Sequence, residues 1–292
     1  MNKVGIYYAF WTHDWDADFA PFVAKVKGLG FDVLEVNAGT VANMSDAERD
    51  RLRGAADKHG IELIYCIGLP RQYDVASADA DVRSSGVQFL QKIARAIAYM
   101  GHKQLGGIIY GSWPGKLPEG QDRRSGVDRS VASIREAIKT AEDCNVYFNV
   151  EVVNRFEQYI INTAAEALDY VRRVGSEQCR ILLDTFHMNI EEDDIGQAIV
   201  AAGKHLGHFH IGETNRRAPG RGRMPWDEIF AALHRAEYRG AISMEPFLMP
   251  GGQVGRDISV FRDLRDGLDL DAEARRAQEF VRAKLHSAAR KV

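Results

Sequence analysis

Glu151, Asp184, His210 and Glu245 each lie at or beside the end of a short apolar run, in NVEVV, ILLD, HFHI and ISME. Their spacings are each about one strand-helix unit of a β/α repeat. Taken singly, each has a plain structural explanation. A glutamate at a strand end is usually a solvated rim residue, an aspartate before a loop is a turn residue, and a lone histidine is a hydrogen-bonded core residue. Four such residues on consecutive units, all at one edge, point instead to a common centre. Three carboxylates gathered in a low-dielectric site repel one another unless a cation lies between them. Three carboxylates with one imidazole favour Mn2+, Co2+ or Mg2+ over a thiolate-type zinc site.

Other polar residues follow the same run ends. Asn154 and Glu157 come after Glu151, His187 after Asp184, and Glu213 and Arg216 after His210. Glu213 is expected beyond its strand end, either behind the site residues as a support or in the loop. His208 is expected on the helix-facing side of its strand, away from His210 and outside the metal site. Arg216 opens a stretch to 223 with four arginines among Gly and Pro. Arg217, Arg221 and Arg223 read as loop arginines making salt bridges; a phosphate clamp is the sharper alternative. The segments 111–120 (GSWPGKLPEG) and 247–257 (FLMPGGQVGRD) are expected to be covers over the site.

The elements that would position these residues alternate strictly. β-branched and aromatic runs at about 4–10, 31–37, 61–67, 104–110, 146–153, 180–184, 206–211 and 241–247 read as strands. Stretches of helical period follow them, at about 16–29, 45–59, 78–100, 125–143, 163–174, 193–202 and 226–236, with a long helical region from 259 onward. Ser45 with Glu48 three residues on is a capping-box signature. Strict alternation implies a parallel sheet with crossover helices, and eight units imply an α/β fold closed into a (β/α)8 barrel. The alternative, an open doubly wound sheet, lacks support: no Gly-x-Gly-x-x-Gly turn follows the first strand, and no phosphate loop is present. A barrel places its active residues at the C-terminal strand ends, where the four candidates sit.

With 292 residues and no linker-like break, the chain is expected to be one barrel domain, 1–292, with a C-terminal helical extension. The formal net charge of −3 gives no sign of a nucleic-acid partner. Three cysteines, Cys66, Cys144 and Cys179, fit neither a zinc motif nor a disulfide framework. The N-terminus does not read as a signal peptide, and no run approaches the ~20 apolar residues of a membrane span. A cytoplasmic location without membrane contact is expected.

The motifs EVVNRFEQY, LLDTFHMNIEE, HFHIGETNRRAPGRG and SMEPF resemble those of the ketose 3-epimerases, a group of xylose-isomerase-like barrels that act on D-tagatose, D-allulose (D-psicose) or L-ribulose. The resemblance spans essentially the whole chain. It implies that Glu151, Asp184, His210 and Glu245 hold one divalent metal per subunit, Mn2+ first and Co2+ or Mg2+ as alternatives. It also implies that Glu151 and Glu245 are the two acid/base carboxylates. Glu157, His187 and Arg216 match residues that hold the sugar around O1, O2 and O3. Cys66, Trp113 and Phe247 match other pocket positions, and Tyr7 matches a variable aromatic at the distal end of the sugar. The resemblance implies an unphosphorylated ketose as the partner, and a homodimer or homotetramer.

Such a set suits inversion at C3. The C3 proton of a ketose is alpha to the C2 carbonyl, so its removal gives an enediolate that a divalent ion stabilises. One carboxylate on each face can then remove a proton and return another. An aldose-ketose isomerase, a hydroxypyruvate isomerase-like enzyme or an inosose dehydratase on the same barrel would share the metal carboxylates. An endonuclease IV type of barrel would need more histidines and a basic face. A sugar-binding barrel without catalysis would not need the pair Glu151 and Glu245.

Overall fold

The apolar runs are continuous because both faces of each strand are covered, by barrel interior and by helices. A computed structural model describes residues 2–290; Met1, Lys291 and Val292, at the limits of the expected 1–292 domain, lie outside them. The strands are β1 (Val4–Tyr7), β2 (Val33–Asn37), β3 (Glu62–Cys66), β4 (Gln104–Gly107), β5 (Tyr147–Val152), β6 (Cys179–Asp184), β7 (Leu206–Ile211) and β8 (Ile242–Met244). They pair in parallel, each with its sequence neighbour, and β1 pairs with β8 to close the barrel. The expected (β/α)8 architecture is therefore present.

The helices between them are α1 (Ala20–Gly28), α2 (Ala38–Asn43), α3 (Asp46–His59), α4 (Ala80–Tyr99), α5 (Arg123–Asp143), α6 (Ala164–Val174), α7 (Thr185–Glu191), α8 (Ile195–Ala202), α9 (Trp226–Arg235), α10 (Gly252–Asp257) and α11 (Leu270–Arg290). Ser45 and Glu48 form the expected capping box at the start of α3. Six of the strands are shorter than their apolar runs, chiefly at their C-terminal ends, where the chain turns aside into the loops of the site, while β7 matches its run and β6 begins one residue earlier. The helical region expected from 259 onward is interrupted. Ser259, Asp266 and Gly267 have positive φ, and α11 begins only at Leu270. That last helix packs on its own barrel, against α9 and β1, and Gln278 Nε2 donates to Gly30 O at 2.7 Å.

Two register features bear on the site. Asp184 of β6 pairs with His210 of β7, which sets the two side chains side by side. On the β3–β4 side, Gly107 has φ +112, and a Cβ there would stand 2.2 Å from Ile67 O. Only glycine permits that approach of the two strand ends.

Candidate active site

The four residues of the first motif set do converge. Glu151 lies on β5, Asp184 ends β6, His210 lies on β7, and Glu245 follows β8, where its N–H donates to Ile211 O at 3.0 Å. One ligand atom from each falls within 4.8 Å of all the others. His210 Nδ1 is 3.6 Å from Glu151 Oε1 and 3.8 Å from Glu245 Oε2. Ligand atoms bound to one divalent ion at about 2.0–2.3 Å stand roughly 3–4 Å apart, so this spacing suits a shared ion.

Two atoms test the fit directly. Asp184 Oδ2 and His210 Nδ1 are buried without a hydrogen-bond partner among the described residues. Buried polar atoms are otherwise almost always paired. Asp184 divides its labour: Oδ1 accepts from Phe186 N at 2.9 Å and caps α7, while Oδ2 is left for the centre. The turn role and the ligand geometry thus coexist in one side chain. The donor set, three carboxylates and one imidazole, suits Mn2+, Co2+ or Mg2+.

The electrostatics show a centre short of positive charge. Burial pushes the Glu245 carboxyl well above its usual range; His210 and Arg216 oppose this, and the nearby Glu151 and Asp184 reinforce it. Burial alone would lower His210, but the carboxylates of Glu35 and Glu245, with Glu151 near, outweigh it and hold its pKa well above the usual value. Both shifts run toward proton uptake, the direction that offsets the gathered carboxylates.

A second group of side chains borders the first. Arg216 sits in the loop after β7 with φ 64, an unfavourable conformation for a non-glycine residue. Its guanidinium is buried and reaches Glu157 Oε1 at 3.1 Å and Glu245 Oε2 at 3.3 Å, and it stacks 4.0 Å from the Phe186 ring centroid. Burial would raise Glu157, but Arg216, His187 and the hydrogen bonds of Trp113 and Asn154 bring it down to about 2, so it is ionised at neutral pH. Trp113 Nε1 donates to Glu157 Oε2 at 2.9 Å. Asn154 N donates to His187 Nδ1 at 3.1 Å, which assigns the His187 proton to Nε2, the nitrogen 3.7 Å from Asp184 Oδ2.

Glu151, Glu245, Glu157, His187 and Arg216 line a cavity of about 700 Å3 at the C-terminal mouth of the barrel, within the range of small-molecule sites. Cys66, Trp113, Phe247 and Tyr7 line it as well, so each expected pocket residue has a place in it. The Cys66 thiol is pushed well up by burial and nearby carboxylates, which makes it a wall and not a nucleophile. Trp113 and Pro114 from segment 111–120, and Phe247, Gln253 and Asp257 from segment 247–257, also border the cavity, so both expected covers sit at its mouth.

Several features differ from expectation or were not foreseen. Residues two apart on a strand share a face, so the expected outward orientation of His208 is wrong. His208 lies inside the barrel beneath His210, and its Nε2 is 3.1 Å from Glu35 Oε2. Glu35 itself was missed because it lies within β2 and not at its end. An acid interrupting VLEVN was the available signal. Trp15, from the loop after β1, forms an aromatic wall with Tyr7, Trp113 and Phe247 at centroid distances of 6.4, 6.0 and 6.2 Å. Glu213 is buried beyond the strand end, where it accepts from Gly220 N, Met224 N and Trp226 Nε1 and so folds the loop that carries Arg216. Arg217 pairs with Asp266 and Arg221 with Glu273, as expected of loop arginines and not of a phosphate clamp.

Residues 23–282 match the family described as xylose isomerase-like TIM barrel. The chain is 44% identical to the D-psicose 3-epimerase of Ruminiclostridium cellulolyticum, over 96% of this chain and 97% of that protein. It is 31% identical to the L-ribulose 3-epimerase of Mesorhizobium japonicum, over 100% and 97%. Among solved structures, that of D-psicose 3-epimerase with D-tagatose from Clostridium cellulolyticum H10 superposes with a TM-score of 0.95 at 44% identity, covering 97% of this chain and 99% of that one.

Proposed function

Since the chain belongs to the ketose 3-epimerase family of xylose isomerase-like TIM barrels and is a carbohydrate epimerase, we propose that it inverts C3 of free ketoses in a metal-dependent, two-carboxylate reaction. The observation that carries this reading is the convergence of Glu151, Asp184, His210 and Glu245, with Asp184 Oδ2 and His210 Nδ1 buried and unpaired. These four residues would hold one divalent ion, with Mn2+ the first choice. When bound, such an ion supplies Lewis-acid polarisation of the ketose carbonyl and charge for the enediolate.

The remaining chemistry belongs to the chain. Glu151 on β5 and Glu245 just after β8 would face the sugar from two sides, one removing the C3 proton and the other returning a proton to the opposite face. The roles exchange in the reverse direction. His187 presents Nε2–H toward the centre as a hydrogen-bond donor for a sugar oxygen. Glu157, kept ionised by Arg216 and Trp113, would accept from a sugar hydroxyl, and Arg216 would donate to a sugar oxygen beside Glu245. Tyr7, Trp113, Phe247 and Cys66 would pack on the carbon skeleton and keep water from the enediolate. The salt-bridged Arg217 and Arg221 favour an unphosphorylated sugar.

The same reading takes the chain as one barrel domain with a C-terminal helical extension, cytoplasmic, and assembled as a homodimer or homotetramer. Among the described residues no helix is long and apolar enough to cross a membrane.

The test is product analysis with D-fructose, D-tagatose and L-ribulose. The expected result is the C3 epimer of at least one, lost with EDTA and restored by Mn2+. An aldose product would replace this reading with an isomerase, and no turnover of any free ketose would remove it.

A further inference from the structure

The barrel interior carries a polar layer beneath the proposed metal centre, and its key member is a carboxylate that the reaction itself does not use. Glu35 is fully buried. It stands on β2, while the histidines it meets stand on β7. Those strands are separated by β1 and β8 in the closed sheet, so the contact crosses the barrel interior. Each carboxylate oxygen takes one imidazole: Oε1 is 2.9 Å from His210 Nε2, and Oε2 is 3.1 Å from His208 Nε2. The two rings pack edge to face, with centroids 4.9 Å apart and planes at 82°. Gly106 on β4 leaves room there, since a Cβ would fall 2.8 Å from Leu182 Cδ1 and 3.8 Å from His208 Cδ2.

Burying a carboxylate is costly, and a well-packed apolar side chain would fill such a core at lower cost. The arrangement has a consequence that apolar packing would lack. A carboxylate oxygen only accepts, so His210 must carry a proton on Nε2. That leaves Nδ1 as the nitrogen facing Glu151 and Glu245, the atom that is buried without a hydrogen-bond partner among the described residues. His208 holds the second oxygen and so keeps the carboxylate from turning away from His210.

We propose that Glu35, anchored by His208, is the positioning residue of the metal centre: it fixes the orientation and tautomer of His210 that present Nδ1 to the ion. This rests on the metal reading above. A hydrogen-bonded carboxylate behind a ligating histidine orients the ring and raises its basicity, and its loss typically weakens metal binding about 10–100-fold.

The experiment titrates Mn2+ alone into metal-free wild type, Glu35→Gln and Glu35→Asp by calorimetry, with melting temperatures of the metal-free forms and visible spectra of the Co2+ forms. The carboxamide of Gln has one acceptor oxygen for two imidazole donors, and Asp withdraws the acceptor by one methylene. The expected result is a Kd about 10–100-fold higher in the folded variants, with a changed Co2+ spectrum. A folded variant with the wild-type Kd and spectrum, even with a lowered melting temperature, would assign Glu35 to the core alone and overturn the proposal. Wild type that takes up no Mn2+ would remove the metal reading itself, and this inference with it. If neither variant folds, long-range 1H–15N spectra of the Mg2+-loaded wild type decide: a proton on His210 Nε2 is expected, and one on Nδ1 overturns the proposal.

Discussion

Metal uptake should expel protons, and the structure names the residues that release them. In the metal-free protein the pKa of His210 lies well above its usual 6.5, and that of Glu245 well above its usual 4.5. Both shifts are upward. The protons therefore stabilise the metal-free fold fully below those unfolded values, and that contribution is lost as pH rises through the raised folded values. A divalent ion at the centre needs the His210 Nδ1 lone pair and a carboxylate on Glu245, so it competes with both protons. At pH values where both residues still carry their protons, up to two should leave per ion, one from each residue. The apparent affinity should then rise up to about 100-fold per pH unit, equivalent to about 2.7 kcal/mol, until the raised pKa values are passed. Calorimetric titration with Mn2+ in two buffers of different ionisation enthalpy counts the protons directly. A count near zero at pH 6.5, with an affinity flat between pH 6 and 8, would refute the picture of protons standing in for the ion.

Two further outcomes follow from single contacts. Trp113→Phe keeps the aromatic wall but removes the Nε1 donor 2.9 Å from Glu157 Oε2. A hydrogen bond to a charged group contributes about 1.5–3 kcal/mol, so kcat/KM for the ketose should fall roughly 10–100-fold; a change under twofold would mean that Arg216 and Asn154 hold Glu157 unaided. Gly107→Ala sets a Cβ 2.2 Å from Ile67 O at φ +112 and should destabilise the barrel by more than about 3 kcal/mol in urea unfolding. A loss below about 1 kcal/mol would show that the β3 and β4 ends can part there.

Much of the architecture was legible because β/α alternation is a long-range pattern that single-residue errors do not disturb. The eight apolar runs located the strands, and their ends led to Glu151, Asp184, His210 and Glu245. The short helices α2 and α7 were not legible, since six or seven residues give too little period to separate from a loop. The break before α11 was missed because non-glycine residues of positive φ, such as Ser259 and Asp266, carry no clear sequence mark. Glu35 was hidden for another reason. Reading only the strand ends passes over a polar layer one step lower, whose meaning depends on β2 and β7 meeting across the interior. The misplaced His208 belongs to the same layer, and the alternation of β7 alone would have placed it there.

The most direct test of the account is NMR of D-fructose or L-ribulose incubated in D2O with the Mn2+-loaded protein and with an EDTA-stripped control. Proton removal and return at C3 predicts deuterium at C3 of the epimer, growing with turnover and absent from the stripped control. Deuterium at C1 with an aldose product, or no exchange into any ketose while metal is bound, would contradict it.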